Sequence, residues 1–365
     1  MKEYEVITPK RDFALDAMKA LAIFLVCQTH YALYNRSAID NLFGIVSCMG
    51  VPLFFMVNGA LLLNKNMDLR KHMKKTYRIA YMSVIWKIVS VICMSLIWNK
   101  NILENGKAAI LNFFIGRNEL NGYELGHFWY LYALVGIYTV FPLLKIGFES
   151  DIGKKSILAI IGVIAFFTFG QSTLELILQV IKYVTCSQTD FSFGWINSYY
   201  IWGQYGYCIF WFVLGGVIYS YLQCDEIKQY YHIIKKICIF IGSIGWGGLF
   251  FINRFQNLIG DANGIVIGGY YCIPTLMMCV AVFSWFEIML KDKCNRGIAY
   301  ISKNTWGIYM LHMLVGTAVL KIQNIYNFRC GIALNLVKSI WMILGSLVII
   351  CIAKKIPFVK KLFVF

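Results

Sequence analysis

Residues 11–30, RDFALDAMKALAIFLVCQTH, read as the start of a membrane helix, yet Asp16, Lys19 and His30 interrupt the apolar run. Hydrocarbon penalises each of these groups unless it faces the protein interior, a water-filled cavity or the membrane surface. A helix turns about 100° and rises about 1.5 Å per residue, so Lys19 and His30 stand three turns plus roughly 20° apart. Asp16 lies three residues before Lys19, within pairing reach, and about 40° from His30. One polar stripe therefore runs up the helix, with His30 about 16 Å beyond Lys19. Each residue alone has a local explanation: a Lys snorkels, an Asp caps or pairs, a His bonds between helices. Their alignment on one face favours a functional pathway. An imidazole suits such a pathway because it accepts and returns a proton near neutral pH.

The rest of the chain has the same character. Of 365 residues, 59% are hydrophobic and 14% charged, against about 45–50% and 25% in soluble domains. Apolar stretches long enough to cross about 30 Å of hydrocarbon recur along the whole length. They predict an all-α integral membrane protein, a single bundle of about ten transmembrane helices. The spans fall near 13–34, 43–63, 79–98, 128–145, 156–184, 199–222, 237–253, 265–290, 304–323 and 333–353. The fifth is long enough to be tilted or broken. Residues 1–365 read as one domain without repeats, and MKEYEVITPKRD at the start lacks a cleavable signal pattern, so the first helix is expected to remain as an anchor.

The net charge of +16 sits in short clusters between apolar runs and forms no continuous basic face, which argues for membrane orientation and against a nucleic-acid partner. With ten spans, 23 of the 34 Lys and Arg residues fall on one side and six on the other, which puts both termini in the cytoplasm and makes 99–127 the longest outer loop. Twelve Cys show no CxxC pair or metal-ligand spacing. They are expected mostly as buried thiols, with neither zinc nor disulfides.

Several stretches together resemble one family. DAMKALAIFLVCQTH (16–30) matches a first-helix pattern of Asp, a basic residue three further on and His eleven after that. VPLFFMVNGALLL (51–63), KKTYRIAY (74–81), GHFWYLYALVGIYTVFPLL (126–144), WFVLGGVIY (211–219) and ISKNTWGIYMLHMLV (301–315) follow in the expected order. The pattern is similar to that of the acyltransferase 3 family, bacterial membrane enzymes that mostly O-acetylate cell-surface polysaccharides. Three positions depart from it. Lys19 stands where the family has Arg, keeping the charge without the planar fork; Asn58 replaces a Ser before Gly59; and no Pro follows the basic pair Lys75 and Arg78.

The resemblance implies a membrane-bound O-acyltransferase of the bacterial cytoplasmic membrane, with the motif-bearing region at about 11–315. Acyl-CoA, acetyl-CoA first among its kind, would be the donor substrate, held by Lys75 and Arg78. Asp16 and Lys19 would line the route, and His30 would act as general base or transient acyl carrier. The acceptor would be a cell-surface or lipid-linked polysaccharide, with membrane lipid and polysaccharide-synthesis proteins as further partners and no bound cofactor or metal. Asn58, His127, Trp129, Glu175 and His312 form a second tier. His127 sits at the outer boundary where it could face an acceptor, and Trp129 reads as an interface anchor. Glu175 needs a partner at mid-span, and His312 suits an interhelical bond as well as a site. The rival class is a polytopic carrier or flippase for lipid-linked glycans, although no two-halves symmetry is visible. A sensor or membrane module partnering a cell-wall enzyme is the third class.

Overall fold

The computed structural model describes residues 12–30, 42–99, 101–107, 119–120, 123–124, 126–187, 203, 205–260, 269–326 and 332–363. Helix α1 (Phe13–Thr29) is capped by Asp12, whose carboxylate accepts from the backbone N–H of Ala14 at 3.0 Å and of Leu15 at 3.4 Å. Those donors have no partner within the first turn of a helix, so the cap fixes where the chain enters it. A 3-10 turn at Ile45–Met49 leads into α2 (Gly50–Leu63), and α3 (Leu69–Ile97) follows. Its cap, Asp68, has a carboxyl held below the ordinary carboxylate range by the Lys71 N–H and side chain. Next come α4 (Trp129–Phe148), α5 (Asp151–Ala165), five π-helical residues at Phe166–Gly170, and α6 (Gln171–Thr185). The remainder is α7 (Gly206–Leu222), α8 (Asp225–Lys228), α9 (Tyr231–Leu258), α10 (Ile273–Leu290), α11 (Arg296–Lys303), α12 (Thr305–Tyr326), α13 (Ile332–Ala353) and α14 (Pro357–Lys360). Beyond these helices, a two-residue ladder pairs Glu119–Leu120 with Tyr123–Glu124.

The protein is thus an all-α membrane protein. Among the described residues, eight helical stretches are long and apolar enough to cross a bilayer. The two remaining expected spans coincide with α1 and α7, each 17 residues long. Two boundaries differ instructively from the apolar pattern. α3 begins at Leu69, ahead of the expected 79, because a capped helix propagates through basic residues that hydropathy counts as loop. The long fifth span is one continuous helical stretch of 35 residues, Asp151–Thr185, with the five π-helical residues in its middle. The expected last turn of the first span, most of loop 99–127 and the start of the sixth and eighth spans lie outside the described residues. All 11 described Cys are free thiols, six of them buried and four exposed.

α1 is the central helix, packed against α2, α10, α11, α12 and α13. Its neighbour α2 makes its closest approach to α7. A Cβ at Gly59 would stand 1.7 Å from the Phe212 carbonyl oxygen, and one at Gly215 2.2 Å from that of Met56. Small residues permit such backbone contact between membrane helices, so two of the motif segments form a single packing unit. The chain ends by folding back: Phe363 is buried edge-on to Trp86, with ring centroids 5.2 Å apart, and the Leu362 carbonyl accepts from the indoles of Trp86 at 3.4 Å and Trp306 at 3.2 Å.

Candidate active site

The polar stripe of α1 faces α11 and α12 at three levels. At the first, Asp16 is buried and accepts from the Ser302 hydroxyl at 2.7 Å. At the second, Lys19 lines a cavity of about 200 Å³ between α1, α2, α3, α4, α11 and α12. Lys75 and Lys303 share that cavity, and among the described residues its lining contains no carboxylate. Three lysines in a pocket otherwise lined by apolar and aromatic side chains together with Asn58, Ser302 and Thr305 suit an anionic ligand.

Asn58 fixes the aromatic wall. Its Oδ1 accepts from the Tyr138 hydroxyl at 3.0 Å, while its Nδ2 donates to the Phe54 carbonyl at 2.8 Å and reaches the Tyr130 hydroxyl at 3.5 Å. An amide offers both donor and acceptor, so one side chain holds both tyrosines. Lys75 lies over the Tyr138 ring, 5.5 Å from its centroid, a cation–π contact that positions the ammonium. Asn58→Ala is expected to release both tyrosines and raise the KM for the anionic substrate several-fold with little change in helix content, measured by initial rates and circular dichroism.

The third level is a histidine cluster. His30 at the end of α1 has its ring 5.2 Å from that of His312 on α12 and 6.4 Å from that of His127, and His127 and His312 are 5.3 Å apart, centroid to centroid. His30 is exposed, whereas the other two are buried. Tyr309 links this cluster to the cavity: it lines the cavity, packs 5.3 Å from His312 and 6.1 Å from His127, and its hydroxyl donates to the His127 carbonyl. Among the described residues, no group of His, Cys, Asp or Glu is arranged to hold a metal ion.

The structure separates some residues that the sequence grouped. Arg78 is not a cavity residue; its guanidinium donates to the Lys361 carbonyl at 3.3 Å, tying α3 to the folded-back C-terminus. Trp129 is half-buried and stacks on Tyr205 at 5.2 Å and 13°, with Tyr270 at 5.7 Å, so it is set among other aromatics. Glu175 has a partner on its own helix, the Gln171 amide at 2.9 Å, and stands on α6, which contributes no residue to the cavity lining or the histidine cluster. Conversely, Lys303, Tyr130, Tyr138 and Tyr309 belong to the site without having been singled out. Tyr309 lay within the quoted Gly-Ile-Tyr stretch, and Lys303 was hidden among charges that orient the protein.

The acyltransferase 3 family model, described as an acyltransferase domain, matches residues 12–354, nearly the whole chain. No curated protein and no solved structure matches the chain significantly. A cavity, an aromatic layer and a histidine cluster strung along the first helix are all contained within the matched region, and the chain belongs to the acyltransferase 3 family of membrane acyltransferases.

Proposed function

We propose that the protein moves an acyl group, acetyl first among candidates, from cytoplasmic acyl-CoA to a hydroxyl of a cell-surface or lipid-linked polysaccharide in the bacterial cytoplasmic membrane. One observation carries this reading: among the described residues, a cavity with three lysines and no carboxylate shares Tyr309 with a cluster of three imidazoles. Lys19, Lys75 and Lys303 would neutralise the phosphates of coenzyme A, and the long pantetheine arm would run past Tyr309 towards His30. Arg78 would support this mouth indirectly by holding the C-terminal segment in place. His30 would deprotonate the acceptor hydroxyl or carry the acyl group, the two roles open to an imidazole here. Asp16 would hold α11 against α1 beside Lys303.

Charge is the quantity to test. Lys19→Arg is expected to retain activity, whereas Lys19→Met should lose roughly tenfold or more, the scale of one charge-assisted contact of about 1.5–3 kcal/mol. Lys303→Ala should raise the KM for acyl-CoA by a similar factor while leaving the KM for the acceptor unchanged. Full activity in Lys19→Met at matched protein levels would return Lys19 to a snorkelling role.

The reading also requires both termini and the cavity mouth to face the cytoplasm. Cysteine-reactive tags at position 65 should be labelled only after permeabilisation and tags at position 107 from outside. Labelling with the opposite sidedness would overturn the donor route.

A further inference from the structure

We propose that His312 is a catalytic residue for the second half of the transfer: the general base that takes the proton of the acceptor hydroxyl while that hydroxyl attacks an acyl group carried on His30. This rests on the acyl-transfer reading above. His312 is wholly buried, and its Nδ1 lies 2.5 Å from the backbone carbonyl oxygen of Tyr309, one turn earlier on α12. A carbonyl can only accept, so Nδ1 carries the proton and the neutral ring presents a lone pair at Nε2. That Nε2 is buried and has no hydrogen-bond partner among the described residues. An acceptor left unpaired in the interior costs about 1–3 kcal/mol, which a purely structural histidine would avoid by bonding across to another helix. A base whose orientation and tautomer are fixed by a second group is the arrangement that proton transfer requires.

The neighbours divide the labour. His30, exposed and 5.2 Å away between ring centroids, is the imidazole open to both substrates. His127 is buried with neither ring nitrogen bonded among the described residues, so nothing fixes its tautomer and no proton role is assigned to it. In the first half, a His30 nitrogen attacks the thioester carbon, the carbon–sulfur bond breaks, and the departing thiolate takes the proton from the other His30 nitrogen. The products are N-acyl-His30 and free coenzyme A thiol. In the second half, the hydroxyl oxygen attacks the same carbon and its proton passes to His312 Nε2. The carbon–nitrogen bond breaks, and His312 returns the proton to His30. The sum is thioester plus alcohol giving ester plus thiol, with no change of oxidation state.

The test uses purified full-length protein in nanodiscs with acetyl-CoA labelled in the acetyl group, first alone and then chased with base-deacylated surface polysaccharide from the parent cells. The wild type is expected to release thiol in a burst, retain label on the protein, and lose it to the polysaccharide on chase. His30→Gln should show no burst. His312→Gln, with His312→Asn as a second variant, should keep the burst, which also demonstrates a folded site, and slow the chase by about 10²–10⁴-fold, the usual contribution of a general base. A chase at the wild-type rate in either His312 variant would overturn the assignment, as would loss of the burst in both. Failure of the wild type to release thiol or label polysaccharide would instead defeat the acyl-transfer reading itself. Transfer without any labelled protein would remove the acyl-His30 step while leaving that reading intact.

Discussion

Replacing His30 by Gln or Asn is expected to leave insertion and folding unchanged and to lower acyl transfer by about 10²–10⁴-fold, with a larger loss if the imidazole is also the acyl carrier. His30 lies at the end of α1 with its ring 5.2 Å from that of His312 and 6.4 Å from that of His127, and an amide of similar reach keeps a polar side chain within that cluster. A structural role would be served by the amide's hydrogen bonds; proton exchange near neutral pH would not. The measurement is O-acylation of surface polysaccharide in a deletion strain carrying each variant at matched membrane abundance. Near-normal acylation with either variant would leave His30 as a packing residue and place the chemistry elsewhere.

Gly59→Leu is expected to abolish folded protein altogether. The atom displaced by the new Cβ is the Phe212 carbonyl oxygen, 1.7 Å away, and backbone in a packed helix pair cannot step aside as a side chain would. Overpacking of an ordinary core site costs about 1–3 kcal/mol; here α2 and α7 must separate along their contact, which places the cost on the order of 4–5 kcal/mol or more. Gly216→Ala provides the contrast. Its first contact would be the end of the Leu63 side chain at 2.4 Å, which can change rotamer, so that variant should retain a monodisperse protein with a modestly lowered melting temperature. Equal yields of Gly59→Leu and wild type after detergent extraction would contradict the packing derived for the motif glycines.

The parts of the molecule that were legible beforehand are those written locally along the chain. Hydropathy located the spans because lipid admits only helices with their backbone groups bonded internally. Helical periodicity aligned Asp16, Lys19 and His30, and all three do face α11 and α12. What stayed hidden depends on tertiary approach. His127 and His312 belong to helices far apart in the sequence, and nothing in either segment announces that their rings meet His30. Lys303 reads as one more orienting charge until α11 folds against α1 and carries it into the cavity. The spacing of Lys75 and Arg78 places them on neighbouring positions of one helix, yet their long side chains part, one over Tyr138 and the other to the Lys361 carbonyl. That division follows from where the C-terminal segment docks, which no local pattern encodes.

Transfer, as opposed to translocation, is the central claim, and one measurement addresses it most directly. Protein reconstituted in sealed vesicles, given acyl-CoA on the side of its termini and deacylated polysaccharide on the other, should release one coenzyme A thiol for each ester formed on the opposite side. Both quantities should fall together in His30→Gln. Relocation of a lipid-linked glycan across the bilayer with no acyl-CoA consumed and no ester formed would contradict the account and establish the chain as a carrier.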